Sequence, residues 1–586
     1  MYKNENRDGL KRRIAVAAGR EPADMVVKGG RIVNVFTREV VTGDIAVADG
    51  LFAAIGKPGD YEGGTEVDAS GLYVCPGFID AHMHLESTMV RPSQFATAAV
   101  PHGTTAVIAD PHEIANVCGL SGLDFILRDS EGIPMDVFIM PPSCVPATDF
   151  ETSGCALLAA DLAPYMDNPR VRGLGEMMNY PGVIAGDDAV LDKLAVPRSG
   201  EGQVVDGHSP WLTGRELNAY ITAGVHTDHE CATSDAMTER LRLGMYVLLR
   251  EGAATRDLEA LIPGVTPENA WRCLFCTDDK HPVDIRERGH IDNNIRKAVR
   301  LGLDPVTAIQ IASVNAAQCY GLHGMGAVAP GYLADFLLVE DIREMRVRQV
   351  YKNGELAAKE GKALFSPNNF EDPNVTGTMH MLTVAPDSFR LPVEGSRARV
   401  IGLRPYSVET DSIEMDIETR DGCFVCGAEN DILKLAVVER HFSTGRVGLG
   451  LITGFGLKNG AIASTVAHDS HNLIVAGDND KDMAMAANEL ARIDGGITIV
   501  SRGRVLQSLP LPIAGLMSNL SVEEVADVVE QMDKKAKSLG VPEGVEPFMT
   551  LAFMALPVIP HLKLTDRGLF DVVKFDFVPV SGQTKS

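Results

Sequence analysis

The sequence predicts an α/β protein: a (β/α)8 TIM-like barrel, a β-sandwich domain split around it, and an additional C-terminal α+β domain. Three observations lead there. Residues 25–75 alternate apolar and polar positions in short runs broken by Gly or Asp, the pattern of antiparallel strands. From Gly77 each run is short and apolar, ends in polar residues, and is usually followed by a helix-like stretch, the pattern of a parallel sheet. Near Gly326 the first texture returns.

Residues 1–77 form the first part of the split sandwich, in the strands MVVKGGRIVNVF, VVTGDIAVADG, LFAAIG and GTEVDASGLYVCPG. Residues 78–325 form the barrel. Its strand units are FIDAHMHLE, TTAVIADPHE, MDVFIMPPS, VRGLGEMMNYPG, QVVDGHSP, VHTDHEC and WRCLFCTDDKHP, with helix-like stretches such as SGLDFILRDSEG and ATRDLEALIPG between them. Seven or eight such units suit a barrel of about 250 residues, and their polar ends fall on the face where barrel active sites are built. Residues 326–385 return to the sandwich, with VYKNGELA echoing VVKGGRIV. Residues 386–586 mix strands (ITIVSRGRVL) with helices (MAMAANELARI and the amphipathic SVEEVADVVEQMDKKAKSLG) and are placed to cap the active site.

The chain has 586 residues, 45% apolar and 23% charged, the proportions of a soluble globular protein. Its formal charge of −25 repels phosphate backbones and anionic lipid, which argues against nucleic-acid and membrane partners. A small neutral substrate in a pocket is compatible with it. No run approaches the ~18 apolar residues of a membrane span. The charged N-terminus has an apolar piece, Ile14 to Ala18, too short for a signal peptide, so a cytoplasmic location is expected. Two cysteine pairs have CxxC spacing, Cys273/Cys276 and Cys423/Cys426. They lie far apart, whereas a four-cysteine zinc site keeps its pairs within about 20 residues. Reduced, mostly buried thiols are expected.

The chemistry concentrates at strand ends. His82 and His84 close FIDAHMH, and residues i and i+2 of a strand face the same way. Glu176, His208, His229 and Asp278 end four further strands. Four histidines and two carboxylates on one face suit two divalent ions with one carboxylate bridging. Zinc, manganese or iron fit such N/O donors, and the lack of a thiolate favours the harder ions. The bland alternative is a set of unconnected polar residues at a loop mouth.

The split β unit, PGFIDAHMH and the later His, His and Asp strand ends resemble the amidohydrolase superfamily over roughly residues 25–370. That resemblance implies a metal-dependent hydrolase barrel in which one or two metals activate water against an amide, an amidine-like carbon or an ester. Many binuclear members bridge the metals with a carbamylated lysine on the fourth strand. Here the only lysine between His84 and His208 is Lys193, in the helix-like DDAVLDKLAV, and Glu176 stands at the fourth strand end; Glu176 is therefore read as the bridge. The longer motifs HMHLES, ADPHEIANV, GEMMNYPGV, DGHSP, TDHE, CTDDK and, further on, VAHDSHN resemble the bacterial adenine deaminase family over nearly the whole chain. This implies hydrolysis of adenine to hypoxanthine and ammonia in purine salvage, at a binuclear manganese(II) or iron(II) centre with zinc as a substitute. It also implies a homodimer or larger homo-oligomer.

For that reaction Asp278 is the candidate base and proton shuttle. Glu86 points into the same mouth if its strand persists, and would contact or protonate the N1 edge; otherwise it is a charged rim residue. Asp110 and His112 contact substrate, support a metal ligand, or are plain loop polarity. Asp279 bonds a purine nitrogen or orients a ligand. Glu230 faces away in an extended strand, and His226 is more readily structural than a ligand. Ser87 and Arg91 order the loop after the first histidines. The run His468 to Asn472 either caps the site or forms a polar turn. GLGLITGFGLKNGA lacks GxxxxGK[ST] and is not a phosphate loop. Two rival functions stand beside deamination of adenine: another amidohydrolase acting on a different purine, a cyclic amide or an N-acyl group, and a catalytically silent scaffold. The missing bridge lysine argues against hydantoinase-type members, and the retained ligand set argues against silence.

Overall fold

The structure, a computed structural model, describes residues 7–198, 202–253, 255–427 and 431–581. Residues 1–6, 428–430 and 582–586 of the expected outer domains, and Ala254 at the start of ATRDLEALIPG, lie outside the described residues.

Strands from both sides of the barrel share one nine-stranded sheet. The seam is the antiparallel pairing of Tyr73–Pro76 with Phe336–Val339, which sets Cys75 opposite Leu337 and Val74 opposite Leu338. Alternation puts Val27, Ile32, Val47, Phe52, Val74, Phe336 and Leu338 on one buried face, and this shared face closes the split unit.

Eight barrel strands follow in parallel: Phe78–His84, Thr104–Ala109, Asp136–Ile139, Gly173–Met177, Val204–Gly207, Thr227–Asp228, Tyr246–Arg250, and Cys273–Cys276 continued by Asp278–Asp279. Parallel ladders join most neighbours, and single parallel bridges, Ile139 to Val171 and Val205 to Val225, join the rest. Asp278 and Asp279 then pair with Met83 and His84 of the first strand, which completes the circuit. Seven of these strands match the expected segments; Tyr246–Arg250 is an eighth. Ile79, Ala81, Ala106, Ile108, Leu248 and Leu274 fill the interior, while Val107, Val137, Val247, Leu249 and Phe275 face the helices. In the first strand the register slips between Asp80 and Met83. Ile79 and Ala81 are interior, yet Met83 packs outside and His82 and His84 reach the mouth. A register slip of this kind re-aims side chains beside an active site.

The C-terminal part holds an eight-stranded sheet with the helix Asp480–Arg492 against it through Met483, Ala487 and Leu490. The amphipathic stretch forms the helix Val522–Ser538, opened by a Ser521/Glu524 capping box. Arg286 of the barrel helix Pro282–Arg288 pairs with its Asp527 (2.8 Å) and Glu530 (2.5 Å). Further ties cross from the barrel: Arg91 donates to Asn519 (3.2 Å), and Thr152 to Asp566 (2.7 Å). No helix among the described residues is long and apolar enough to cross a membrane. The ten cysteines are free thiols; Cys273 and Cys276 are buried, Cys423 and Cys426 half-buried.

Candidate metal centre and active site

Five strand ends bring six side chains to one buried point. Glu176 lies at its middle. One carboxylate oxygen, Oε2, is 2.8 Å from His208 Nδ1 and 3.2 Å from His229 Nε2. The other, Oε1, is 3.4 Å from His84 Nε2 and 3.6 Å from His112 Nδ1. Asp278 Oδ1 is 3.0 Å from His84 Nε2 and 3.7 Å from His82 Nε2. The His82 and His229 rings stack at 4.3 Å. Burial pushes the Glu176 carboxyl up, but hydrogen bonds and charge from His208 and His229 more than offset it and hold it well below the usual range.

These donors fit metal ions. Both ring nitrogens of fully buried His82 lack a hydrogen-bond partner among the described residues, a state that buried polar atoms rarely tolerate. The groups His82/His84/Glu176, His82/His229/Asp278 and Glu176/His208/His229 each have their donor atoms within 4.8 Å of one another. Among these donors are no thiols, as hard or borderline divalent ions prefer. The surroundings also orient them. His84 Nδ1 donates to the Asp110 carbonyl (2.9 Å), leaving Nε2 as the free donor atom. The Tyr220 hydroxyl accepts the His208 N–H (2.9 Å). Asp228, the chain neighbour of His229, is held by Arg240 and by Ser209 Oγ (2.7 Å).

The remaining residues divide between the cavity and its support. His112 and Asp279 line the cavity of about 970 Å³ above the donors, which is near the upper end for small-molecule pockets. Ser87 Oγ donates to Asp279 and, at 3.3 Å, to Glu113. Asp110 does not reach the cavity, contrary to a role in substrate contact. Its Oδ2 accepts the Glu176 N–H (2.8 Å), in a space that exists because position 175 is glycine: a Cβ there would lie 2.3 Å from Oδ2. Glu86 is also turned away. The first strand ends at His84, and Leu85–Thr88 is a 3-10 turn, so the alternation that would aim Glu86 inward stops. Its Oε1 instead accepts the Ile114 N–H (3.0 Å) in the first turn of the helix His112–Cys118.

Glu230 is the reverse case. The sixth strand ends at Asp228, whose Oδ1 accepts the Glu230 N–H (3.1 Å). Strand pairing stops there, and Glu230 Oε1 lies within 3.4 Å of His229 Nε2 and 3.7 Å of His208 Nδ1. Arg250, at the end of the seventh strand, binds Glu230, Asp257 (3.0 Å) and Asp278 Oδ2 (2.8 Å) at once. Glu113 lines the cavity; burial, then Glu86 and Asp279, push its carboxyl well up. Neither Arg250 nor Glu113 was signalled by a ligand pattern, although ADPHE contains the latter. His226 sits at the far end of its strand against Tyr246 (5.4 Å). Lys193 donates to the Ser143 carbonyl (2.7 Å), away from the donors. Arg91 holds Asp129 and the Phe370 carbonyl behind the first loop.

Imidazole and carboxylate donors gathered at the C-terminal mouth of a parallel barrel define a class, the hydrolases of the amidohydrolase fold. The profile of the amidohydrolase family matches residues 73–357, and that of the adenine deaminase C-terminal domain matches residues 407–576. The chain is 54% identical to an adenine deaminase of Nitratidesulfovibrio vulgaris (97% of this chain, 98% of the relative). It is 50% identical to adenine deaminase 2 of Carboxydothermus hydrogenoformans (98% and 99%) and 47% identical to the adenine deaminase of Geobacillus kaustophilus (97% and 99%). The chain belongs to the adenine deaminase family.

Proposed function

We propose that this protein hydrolyses adenine to hypoxanthine and ammonia, as a cytoplasmic, homo-oligomeric enzyme of purine salvage. The observation that carries the chemistry is the Glu176 carboxylate spanning two donor groups, with His84 on one oxygen and His208 and His229 on the other. The relatives' shared activity supports the substrate, and the net charge of −25 supports a small molecule over polyanions.

In this reading His82, His84 and Asp278 would hold one divalent ion, His208 and His229 a second, and Glu176 would bridge them; manganese(II) or iron(II) is preferred to zinc. Bound there, the ions would lower the pKa of water towards about 7 and so supply a nucleophile at neutral pH. Asp278 takes the proton from the water that attacks C6, through Oδ1, while Arg250 fixes Oδ2. Electrons move onto N1, which needs an acid. Glu113 takes that role in place of Glu86, because it lines the cavity and burial pushes its carboxyl well above the usual range. Asp278 passes its proton to the departing amine, and the proton released from the C6 hydroxyl restores the Glu113 acid. His112 and Asp279 position the base, and Asp110 holds Glu176 and His84 in place.

The test is to prepare the protein with manganese or iron(II) under reducing conditions and follow adenine by ultraviolet absorbance together with ammonia release. Turnover of adenine is expected. Inert adenine alongside consumption of guanine or a cyclic amide would overturn the substrate.

A further inference from the structure

We propose that the C-terminal domain supplies the far wall of the substrate pocket, and that Asp469 accepts the N9–H of the free purine base and thereby selects against N9-substituted purines. This rests on the reading of adenine as substrate.

The segment 465–472 joins the strands Gly460–Ser464 and Leu473–Gly477 and is buried throughout. Its backbone is fixed from several sides. The His468 N–H donates to the Ala552 carbonyl (3.0 Å), and the His471 N–H to the Ala467 carbonyl (2.8 Å). His441 Nε2 donates to the Ser470 carbonyl (2.8 Å), and the fully buried Arg440 donates to that of His471. Asn472 Nδ2 crosses to the Thr152 carbonyl of the barrel (2.8 Å). His471 Nδ1 accepts the Ala467 N–H (3.1 Å), so its neutral ring carries the proton on Nε2, 3.8 Å from Glu113 Oε2. So rigid a backbone gives its side chains fixed directions.

His468 and Asp469 are the two of these side chains that line the cavity, alongside His84, Glu176, His208, His229 and Asp278. Asp469 is 2% exposed, and its Oδ2 has no hydrogen-bond partner among the described residues. Its Oδ1 lies 3.8 Å from His112 Nε2, beyond hydrogen-bond reach. A carboxylate oxygen accepts hydrogen bonds, so the partner that fits Oδ2 is a donor. Its position follows from two contacts. The His112 ring is 4.5 Å from the His84 ring, and Asp469 approaches the Nε2 edge of His112, one side chain further from the metal-ligand donors. With C6 of a purine at the nucleophile, the opposite end of the molecule carries N9. The N9–H is the ring donor that ribose or a methyl group removes. His468, tilted against Phe553 at 4.6 Å, adds a flat wall beside it.

The experiment compares kcat/KM for adenine with the rate or inhibition constant for 9-methyladenine, in wild type and in Asp469→Ala and Asp469→Asn, with metal content measured for each. Loss of one charge-assisted hydrogen bond predicts a roughly 10- to 100-fold fall in kcat/KM for adenine, carried mainly by KM. Metal content should stay unchanged, and the preference for adenine over 9-methyladenine should shrink by a similar factor. A preference unchanged in active, folded variants overturns the inference, and the isosteric Asp469→Asn decides if Asp469→Ala does not fold. Wild-type protein that leaves adenine untouched overturns the functional reading and this inference together. Active wild type with an unchanged preference overturns this inference alone.

Discussion

Replacing Arg250 with methionine should both loosen the barrel and slow the reaction. The guanidinium is 5% exposed and serves three carboxylates: both oxygens of Glu230, Asp257 Oδ2 and Asp278 Oδ2. Burial pushes the Glu230 carboxyl up, and Arg250, helped by His208 and His229, reverses this and holds it well below the usual range. Methionine fills similar volume but leaves the acids facing one another without a counter-charge. Breaking one buried ion pair from one side costs about 3–5 kcal/mol, and the remaining acids can recover part of that by taking up a proton. The expected loss is therefore about 3–5 kcal/mol, a large share of the ~5–15 kcal/mol that stabilises a protein. Asp278 also loses the donor that fixes Oδ2, and a displacement of about 1 Å at a reacting group can cost ~100-fold in rate. Arg250→Lys keeps the charge but not the planar fork and should fall between the two. Urea unfolding and kcat/KM at matched metal content measure both effects. An Arg250→Met protein within about 1 kcal/mol of wild type and within about threefold in kcat/KM would refute the reasoning.

Two further outcomes are expected. Glu176→Gln should abolish activity and reduce metal content to one ion per chain or none, because an uncharged amide with a single oxygen cannot replace a carboxylate that offers one oxygen to each side; two retained ions would remove the bridging role. Lys563 gives a pH-dependent test: its amine is fully buried, donates to the Val408 carbonyl (2.8 Å), and is pulled by burial from 10.5 to about 7. The unfolded chain binds more protons between those values, so stability rises with pH from about 7 to 10.5. At ~1.36 kcal/mol per pKa unit the penalty is about 5 kcal/mol below pH 7, and about 3 kcal/mol of it is relieved between pH 6 and pH 9. The stability of Lys563→Met relative to wild type should fall by about that amount over the range, and a constant difference would show that the amine does not titrate as described.

The barrel is readable in the sequence wherever a strand ends in a residue with metal chemistry. FIDAHMH, VRGLGE, QVVDGH and RCLFCTD announce themselves in this way. The seventh strand, Tyr246–Arg250, is hidden because it ends in an arginine, whose value appears once Glu230 and Asp278 are brought to it. Glu86 and Glu230 are misplaced for one reason. Strand alternation holds only within a strand, and Glu86 lies beyond His84 in a 3-10 turn while Glu230 lies beyond the strand end at Asp228. Alternation alone would also have put Met83 in the mouth; the register slip after Asp80 puts the two histidines there. Asp110 turns on a feature of another strand, the missing side chain at Gly175, which no pattern local to ADPHE records. The contact of His468 and Asp469 with the barrel mouth joins segments more than 300 residues apart and needs the folded chain to be seen.

The same constellation supports the proposed division of acid and base. Two carboxylates stand at one cavity in opposite electrostatic surroundings. Asp278 is pushed up by burial, but hydrogen bonds from His82 and His84 and the charge of Arg250 more than offset this and hold it well below the usual range. Glu113 is pushed up by burial and again by Glu86 and Asp279, and stays well above it. Titratable groups driven apart by their environments can divide the proton work between them: in the proposed mechanism the group pushed down takes the proton from water, and the group pushed up gives one to N1. On this account Glu86, held by the Ile114 N–H (3.0 Å), bears on the proposed mechanism although it does not face the cavity, because it helps to push the Glu113 carboxyl up. Arg250 does the converse for Asp278. Arg250, which carries no ligand pattern in the sequence, and Glu86, which strand alternation misaims, are thus the residues that push the two carboxyls apart.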